Sequence, residues 1–79
     1  MVQTFFEIDG ERYKLKYQKL NTEEGELYQG ILFLENAIGF SYLIREDQTI
    51  LFDNDFIDKN FQHLIIRIIE HREKRIKLK

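Results

Sequence analysis

Residues 55–77, DFIDKNFQHLIIRIIEHREKRIK, decide the fold, because they combine a helical stripe of apolar residues with helix signals at both ends. At about 100° per residue, Ile57, Phe61, Leu64, Ile65, Ile68 and Ile69 share an arc of roughly 120°, the footprint of a helix lying on a sheet. Asp55 and Asp58 stand ahead of the run, where a carboxylate accepts from free N–H groups and meets the positive end of the helix dipole. Asp55 as N-cap with Asp58 three residues later imitates a capping box; Asp58 as the cap itself is the alternative. Beyond Ile69 the same arc holds Arg72 and Arg75, and only Ile76 returns to the stripe, so the last turns are expected to run past the core with cations near the terminal carbonyls.

Outward from the helix, the first unit reads as a hairpin of Val2 to Ile8 and Glu11 to Lys19 around Asp9-Gly10, a dipeptide suited to a type I′ turn. A two-residue loop sets the register: Glu7 faces Arg12, Phe6 faces Tyr13, Phe5 faces Lys14, Thr4 faces Leu15 and Val2 faces Tyr17. One face then holds Val2, Thr4, Phe6, Ile8, Tyr13, Leu15 and Tyr17. The other holds Gln3, Glu7, Arg12, Lys14, Lys16 and a misfit, Phe5.

Leu20 to Glu26 reads as an acidic surface loop. Leu27 to Glu35 is apolar on both parities, which suits a central strand partly covered on both faces. A helix over 27–38 closed by Gly39 is the competing reading; Gly30 in mid-segment and the crowd of aromatic and branched residues favour the strand. Asn36 to Gly39 reads as a turn, Phe40 to Arg45 as a strand, Glu46 to Gln48 as a turn and Thr49 to Phe52 as a short last strand. The order β-β-β-β-β-α predicts an α+β fold, an antiparallel meander of four to five strands packed by one C-terminal helix. Nothing in residues 1–79 resembles a linker or a repeat, so a single domain is expected.

With 79 residues and no Cys, neither disulfides nor thiolates contribute, and the core alone must hold the chain. A hydrophobic content of 43% that includes seven Phe suffices for one layer pair and argues against disorder at 33% charge. The net charge is −2, unevenly spread: residues 1–66 carry six Lys/Arg against twelve Asp/Glu, net −6, and residues 67–79 carry six against two, net +4. No apolar run approaches the ~20 residues of a membrane span, and the N-terminus lacks secretory-signal features. A cytoplasmic protein with no membrane contact is the expectation.

Catalytic patterns are thin. Asp53 and Asp55 match the first two ligand spacings of an EF-hand loop, but Ile57, Asp58 and Leu64 occupy later ligand or Gly positions, so neither they nor Asp47 and Asp58 predict a metal. His63 and His71 are eight residues apart, roughly 12 Å along a helix, too far for one zinc site on that helix alone. Ser41 is the only Ser and has no nucleophile motif, while Gly30 and Gly39 form no phosphate-binding fingerprint. A non-enzyme without cofactors is therefore expected.

Two contact surfaces stand out. Ile66 lies off the stripe and is expected to be exposed; with Phe5 it marks a protein contact or a self-association patch if the two are neighbours. The alternative is nucleic-acid binding by Arg67, Arg72, Lys74, Arg75, Lys77 and Lys79, extended by Lys14, Lys16 and Lys19 near Tyr13 and Tyr17. No helix-turn-helix, RNP motif or zinc spacing supports specific recognition. The sequence thus favours a small protein-interaction module, binding another protein or itself.

Overall fold

The computed structural model describes residues 1–54 and 56–77, with side chains through Glu73. Five strands, β1 (Val2–Ile8), β2 (Glu11–Thr22), β3 (Gly25–Phe33), β4 (Ala37–Arg45) and β5 (Ile50–Asp53), form one antiparallel sheet in sequence order, and one helix, α1 (Lys59–Lys77), follows. This is the α+β meander expected from the sequence. Asp9 and Gly10 both take positive φ, 52° and 82°, as a type I′ turn demands, and the β1/β2 register is the one counted from it. Residues 25–33 are strand, which removes the helical alternative for 27–38. Gly30 belongs there for a packing reason: a Cβ at this position would meet the Lys16 carbonyl at 2.2 Å and the Phe40 ring at 2.8 Å.

The hairpin ends differ from the sequence reading. Leu20 to Glu26 is not a loop; pairing continues to Thr22 opposite Gly25, and only Glu23 and Glu24 turn. Thr22 explains this, since its hydroxyl accepts from the N–H groups of Glu24 and Gly25, both at 3.2 Å, and donates to the Gly25 carbonyl at 2.9 Å. Gly25 closes the turn at φ 147°, where a Cβ would lie 2.1 Å from the Ile44 carbonyl oxygen. The next turn falls at Leu34 to Asn36, earlier than expected, so Ala37, Ile38 and Gly39 are strand. The last is a three-residue loop, Glu46 to Gln48, with Gln48 at φ 72°.

The helix begins at Lys59, two residues after the apolar stripe opens at Ile57. Asp58 is the cap: its Oδ2 accepts from Asn60 N–H at 3.1 Å and its carbonyl receives the first helical bond, from Gln62 at 2.9 Å. Asp55, the other candidate cap, lies outside the described residues. Gln62 Nε2 donates back to the carbonyls of Ile57 at 2.8 Å and Asn54 at 3.3 Å, which fixes the chain's entry into the helix. Ile57, just ahead of the helix, is buried with Ile65 and Ile69 against Leu15, Tyr17, Tyr28, Leu32, Phe40 and Tyr42.

The core is an aromatic ladder across the strands. Tyr28 stacks on Tyr42 at 4.9 Å between centroids, Tyr42 on Phe52 at 5.8 Å and Phe52 on Phe40 at 5.9 Å, while Tyr17 tilts against Tyr28 at 6.2 Å. Ile66, expected to face water, is instead half-buried and packed on this core. It stands one turn before Glu70, on the helix flank facing the Tyr28 and Ile44 side of the sheet, so the buried arc is wider than the six-residue stripe.

Candidate protein-contact surface

Because side chains alternate along a strand, the helix covers one face of the sheet and the other is open. The register stacks the open face into four cross-strand rows. Phe5, Lys14, Phe33 and Ala37 form the first; Gln3, Lys16, Ile31 and Gly39 the second. Gln18, Gln29, Ser41 and Asp53 form the third; Leu20, Leu27, Leu43 and Leu51 the fourth. No described element of the chain covers any of them.

The fourth row is an unbroken line of leucines, one from each of β2 to β5. Leu20 and Leu51 at its ends are 41% and 44% exposed, and Leu27 and Leu43 between them are half-buried. Four adjacent leucines across strands spaced about 4.8 Å make a continuous apolar band, unlike the scattered exposed residues normal on a monomer. β3 was expected to be partly covered on both faces; the Leu27, Ile31 and Phe33 side has only this open sheet around it.

At the other end of the face, cations lie on aromatic rings. The Arg12 guanidinium carbon sits 4.4 Å from the Phe5 centroid, and the Nζ atoms of Lys14 and Lys16 sit 4.5 and 5.8 Å from that of Phe33. Phe5, 47% exposed, is thus no misfit but the seat of Arg12. Ala37 and Gly39 on β4 place no large side chain beside these rings, and nothing lies within 4 Å of where a Gly39 Cβ would be. Charge is polarised along the strands. Arg12, Lys14 and Lys16 face Glu7 alone at the aromatic end, with Asp9 and Glu35 in the turns beyond, while Glu23, Glu24, Glu46 and Asp47 surround Arg45 at the leucine end.

The two protein-contact candidates are not brought together. Phe5 stands on the open face at the β1 edge, whereas Ile66 belongs to the core on the opposite side of the sheet. Of the basic candidates, Arg67 and Arg72 are exposed on the helix flank beside Thr4 and Phe6. The side chains of Lys74, Arg75 and Lys77, and all of Lys79, lie outside the described residues. Lys14 and Lys16 point away from Tyr13 and Tyr17, which face the helix, and Lys19 is on the helix side, paired with Glu26 at 2.8 Å.

Two features escaped the sequence reading. The leucine row is invisible until the register is known, since its members are seven to sixteen residues apart. Phe56, 99% exposed, follows Asn54, whose Oδ1 accepts its N–H at 2.8 Å; an aromatic set in the acidic run from Asp53 to Asp58 was the available signal.

Beneath the helix end, a cleft of about 310 Å³ is lined by Glu26, Tyr28, Arg45, Gln48, Glu70 and Glu73 among others. Tyr17 donates to Glu73 Oε2 at 2.9 Å there, and burial, then Glu73, pushes its phenol up. Burial chiefly, then Glu26, Glu73 and Glu70, pushes Tyr28 up to about 12. Tyr42 is pushed up further by burial, and its hydroxyl has no hydrogen-bond partner among the described residues. Phenols held in the protonated form are poor bases and nucleophiles at neutral pH. The Thr49 hydroxyl, and after it the Thr49 N–H that donates to Asp47 Oδ1 at 2.9 Å, hold the Asp47 carboxyl below the usual range. Among the described residues no three His, Asp or Glu are grouped to hold a metal, and no helix is long and apolar enough to cross a membrane. No protein-family model matches the chain, and neither a curated protein nor a solved structure shows significant similarity to it.

Proposed function

We propose that the protein is a small non-catalytic interaction module that docks a second protein chain on the open face of its sheet. The observation that carries this reading is the line of Leu20, Leu27, Leu43 and Leu51, held in register with no described element above it. An antiparallel sheet facing water normally alternates apolar-in with polar-out, and the leucines break that alternation where a partner gains most from burying them. A cytoplasmic setting, with no disulfides to form, belongs to the same proposal. Capture from the native host with the wild-type chain and with Leu27→Glu/Leu43→Glu as baits tests it. A protein held by the wild type and lost by the folded variant is the expected result; identical captures would contradict the reading.

A second reading, nucleic-acid binding, is favoured by Arg12, Lys14 and Lys16 lying on Phe5 and Phe33, since cations beside aromatic rings on an open sheet suit single strands. Arg67 and Arg72, with the basic residues after them, add positive charge on the helix. Titration with a single-stranded oligonucleotide at low salt tests this; binding must weaken steeply with salt and with Lys14→Glu.

A further inference from the structure

We infer that the free edge of β1 takes up an extended segment of another protein as a sixth strand, whose helix-facing side chains are apolar at one position and carboxylates at the next two. This edge is a different surface from the leucine row, and either can act without the other. Ile8 and Glu11 close the two-residue turn, so they exchange both hydrogen bonds; by alternation so do Phe6 with Tyr13, Thr4 with Leu15 and Val2 with Tyr17. Gln3, Phe5 and Glu7 therefore turn their N–H and C=O groups away from β2, toward an edge where no described strand pairs with them. Donors and acceptors recurring about every 6.8 Å are a template for one more antiparallel strand. The other edge is blunt by comparison. β5 has four residues and ends at Asp53, and Asn54 just beyond it donates to the Gly39 carbonyl at 2.7 Å. β1 has seven residues with no Pro, no Lys and no bulge, so it lacks the usual devices that shield an edge.

On the helix side this edge borders an unfilled groove. Val2, Thr4, Phe6 and Ile8 share the face of the sheet that the helix covers, yet they stay half-buried, whereas Leu15 and Tyr17 one strand further in are fully buried. Two hollows that share Arg67 run along the rim between β1 and α1. One, of about 390 Å³, lies between Ile8 on the strand and Phe61, His63 and Leu64 on the helix side. The other, of about 370 Å³, lies between Thr4 and Phe6 on the strand and Ile68, His71 and Arg72 on the helix. Alternate side chains of a sixth strand enter these hollows and complete the layer that the half-buried rim leaves open.

Charge selects the occupant. The two flanks of α1 carry opposite signs: Arg67 and Arg72 stand beside β1, and Glu70 and Glu73 stand on the other flank beside Tyr28 and Ile44. Among the described residues no carboxylate pairs with Arg67 or Arg72. Asp9 and Glu11 lie at the hairpin turn, at the Ile8 end of the groove. A strand running antiparallel to β1 thus meets, from its own N-terminus, an apolar wall opposite Ile8 and then guanidinium groups opposite Phe6 and Thr4. That order defines the partner segment: an apolar residue followed by carboxylates two and four positions later. A single short strand buries less than ~1,000 Å², so the contact is expected to be weak, with a Kd on the order of 100 µM, and salt-sensitive.

NMR titration of the intact chain with the peptide Thr-Val-Thr-Glu-Thr-Glu-Thr, acetylated and amidated at its ends, tests the inference. At about 2 mM peptide the amides of Gln3, Phe5 and Glu7 are expected to shift and to exchange with solvent about tenfold more slowly. N-methyl groups on the two threonines flanking the first glutamate remove donors to β1 and are expected to abolish binding. Phe5→Pro, which removes an outward N–H and leaves the β2 ladder intact, is expected to do the same. Arg67→Glu/Arg72→Glu, at exposed helix positions, is expected to weaken the peptide at least about tenfold and to bind Thr-Val-Thr-Lys-Thr-Lys-Thr instead, a reversal read independently of Phe5→Pro. Leu27→Glu/Leu43→Glu is expected to leave peptide binding unchanged, which separates a failure of the edge from a failure of the open face. No shift at about 2 mM peptide, shifts confined to residues outside β1 and α1, or equal binding of the N-methylated peptide overturns the inference. Edge amides that become protected in the free chain as its concentration rises overturn it in favour of a second copy. Shifts of Arg67 and Arg72 with a single-stranded oligonucleotide but not with peptide overturn it in favour of nucleic acid.

Discussion

The two faces of this sheet are built from nearly the same kinds of residue and do opposite things. Beneath the helix, Leu15, Leu32, Tyr17 and Tyr42 are fully or almost fully buried, with Tyr42 stacked between Tyr28 and Phe52. On the open side, Leu20, Leu27, Leu43 and Leu51 are as regular in register but have only water or a partner to meet. The difference teaches that apolar content fixes how much surface a chain offers for burial, and topology fixes which part it buries itself. One helix covers one face, so a strand apolar on both parities, such as β3, keeps a surplus on the other.

Substitutions that treat the faces alike should separate them most. Ile65→Ala, at a fully buried helix position, is expected to cost about 2–5 kcal/mol in denaturant unfolding, and Leu43→Ala less than about 1 kcal/mol. Equal costs would mean that the open face is core. Next in size is Gly25→Ala, expected to cost about 2 kcal/mol or more, because its backbone lies at positive φ and the added methyl meets the Ile44 carbonyl. A neutral result there would mean that the β2/β3 turn takes another shape.

The tyrosines under the helix sharpen the comparison. Tyr17→Phe removes a bond to Glu73 and is expected to cost about 1 kcal/mol, whereas Tyr42→Phe removes a buried hydroxyl without a partner and is expected to be neutral or slightly stabilising. Their protonation carries a sign. Burial raises these phenols above the ordinary value of 10.0, Tyr28 to about 12, so folding favours the protonated form. That contribution is complete below pH 10 and fades as pH climbs toward 12, because there the unfolded chain has lost protons that the folded one keeps. Tyrosinate absorbance is expected to appear together with loss of structure; titration without unfolding would show the ladder to be open to water. A small gain is expected from Gln48→Gly, which should stabilise the chain by about 0.5–1 kcal/mol by relieving a non-glycine residue at positive φ in the β4/β5 loop.

Much of the covered side was legible in the sequence. Asp9-Gly10 fixed a register that needed no correction, and the spacing of Ile57, Phe61, Ile65 and Ile69 pointed to the element that closes the core. What escaped was non-local. Leu20 looked like part of an acidic loop because Thr22's hydroxyl, which satisfies the turn and lets pairing continue past it, leaves no mark in composition. Ile66 looked exposed because a wheel counts only the helix, while burial depends on the flank the helix presents to the sheet. The open face came halfway: Phe5 stood out as a misfit, but its link to Arg12, and the line of four leucines, needed residues seven to sixteen positions apart to be set side by side by strand pairing.

The most direct test of the account pairs stability with binding in one variant, Leu43→Glu, read by denaturant unfolding and by capture from the native host. The account predicts a folded chain within about 1 kcal/mol of wild-type stability that no longer holds the protein the wild type captures. A variant that unfolds, or one that captures the same protein as the wild type, would contradict it.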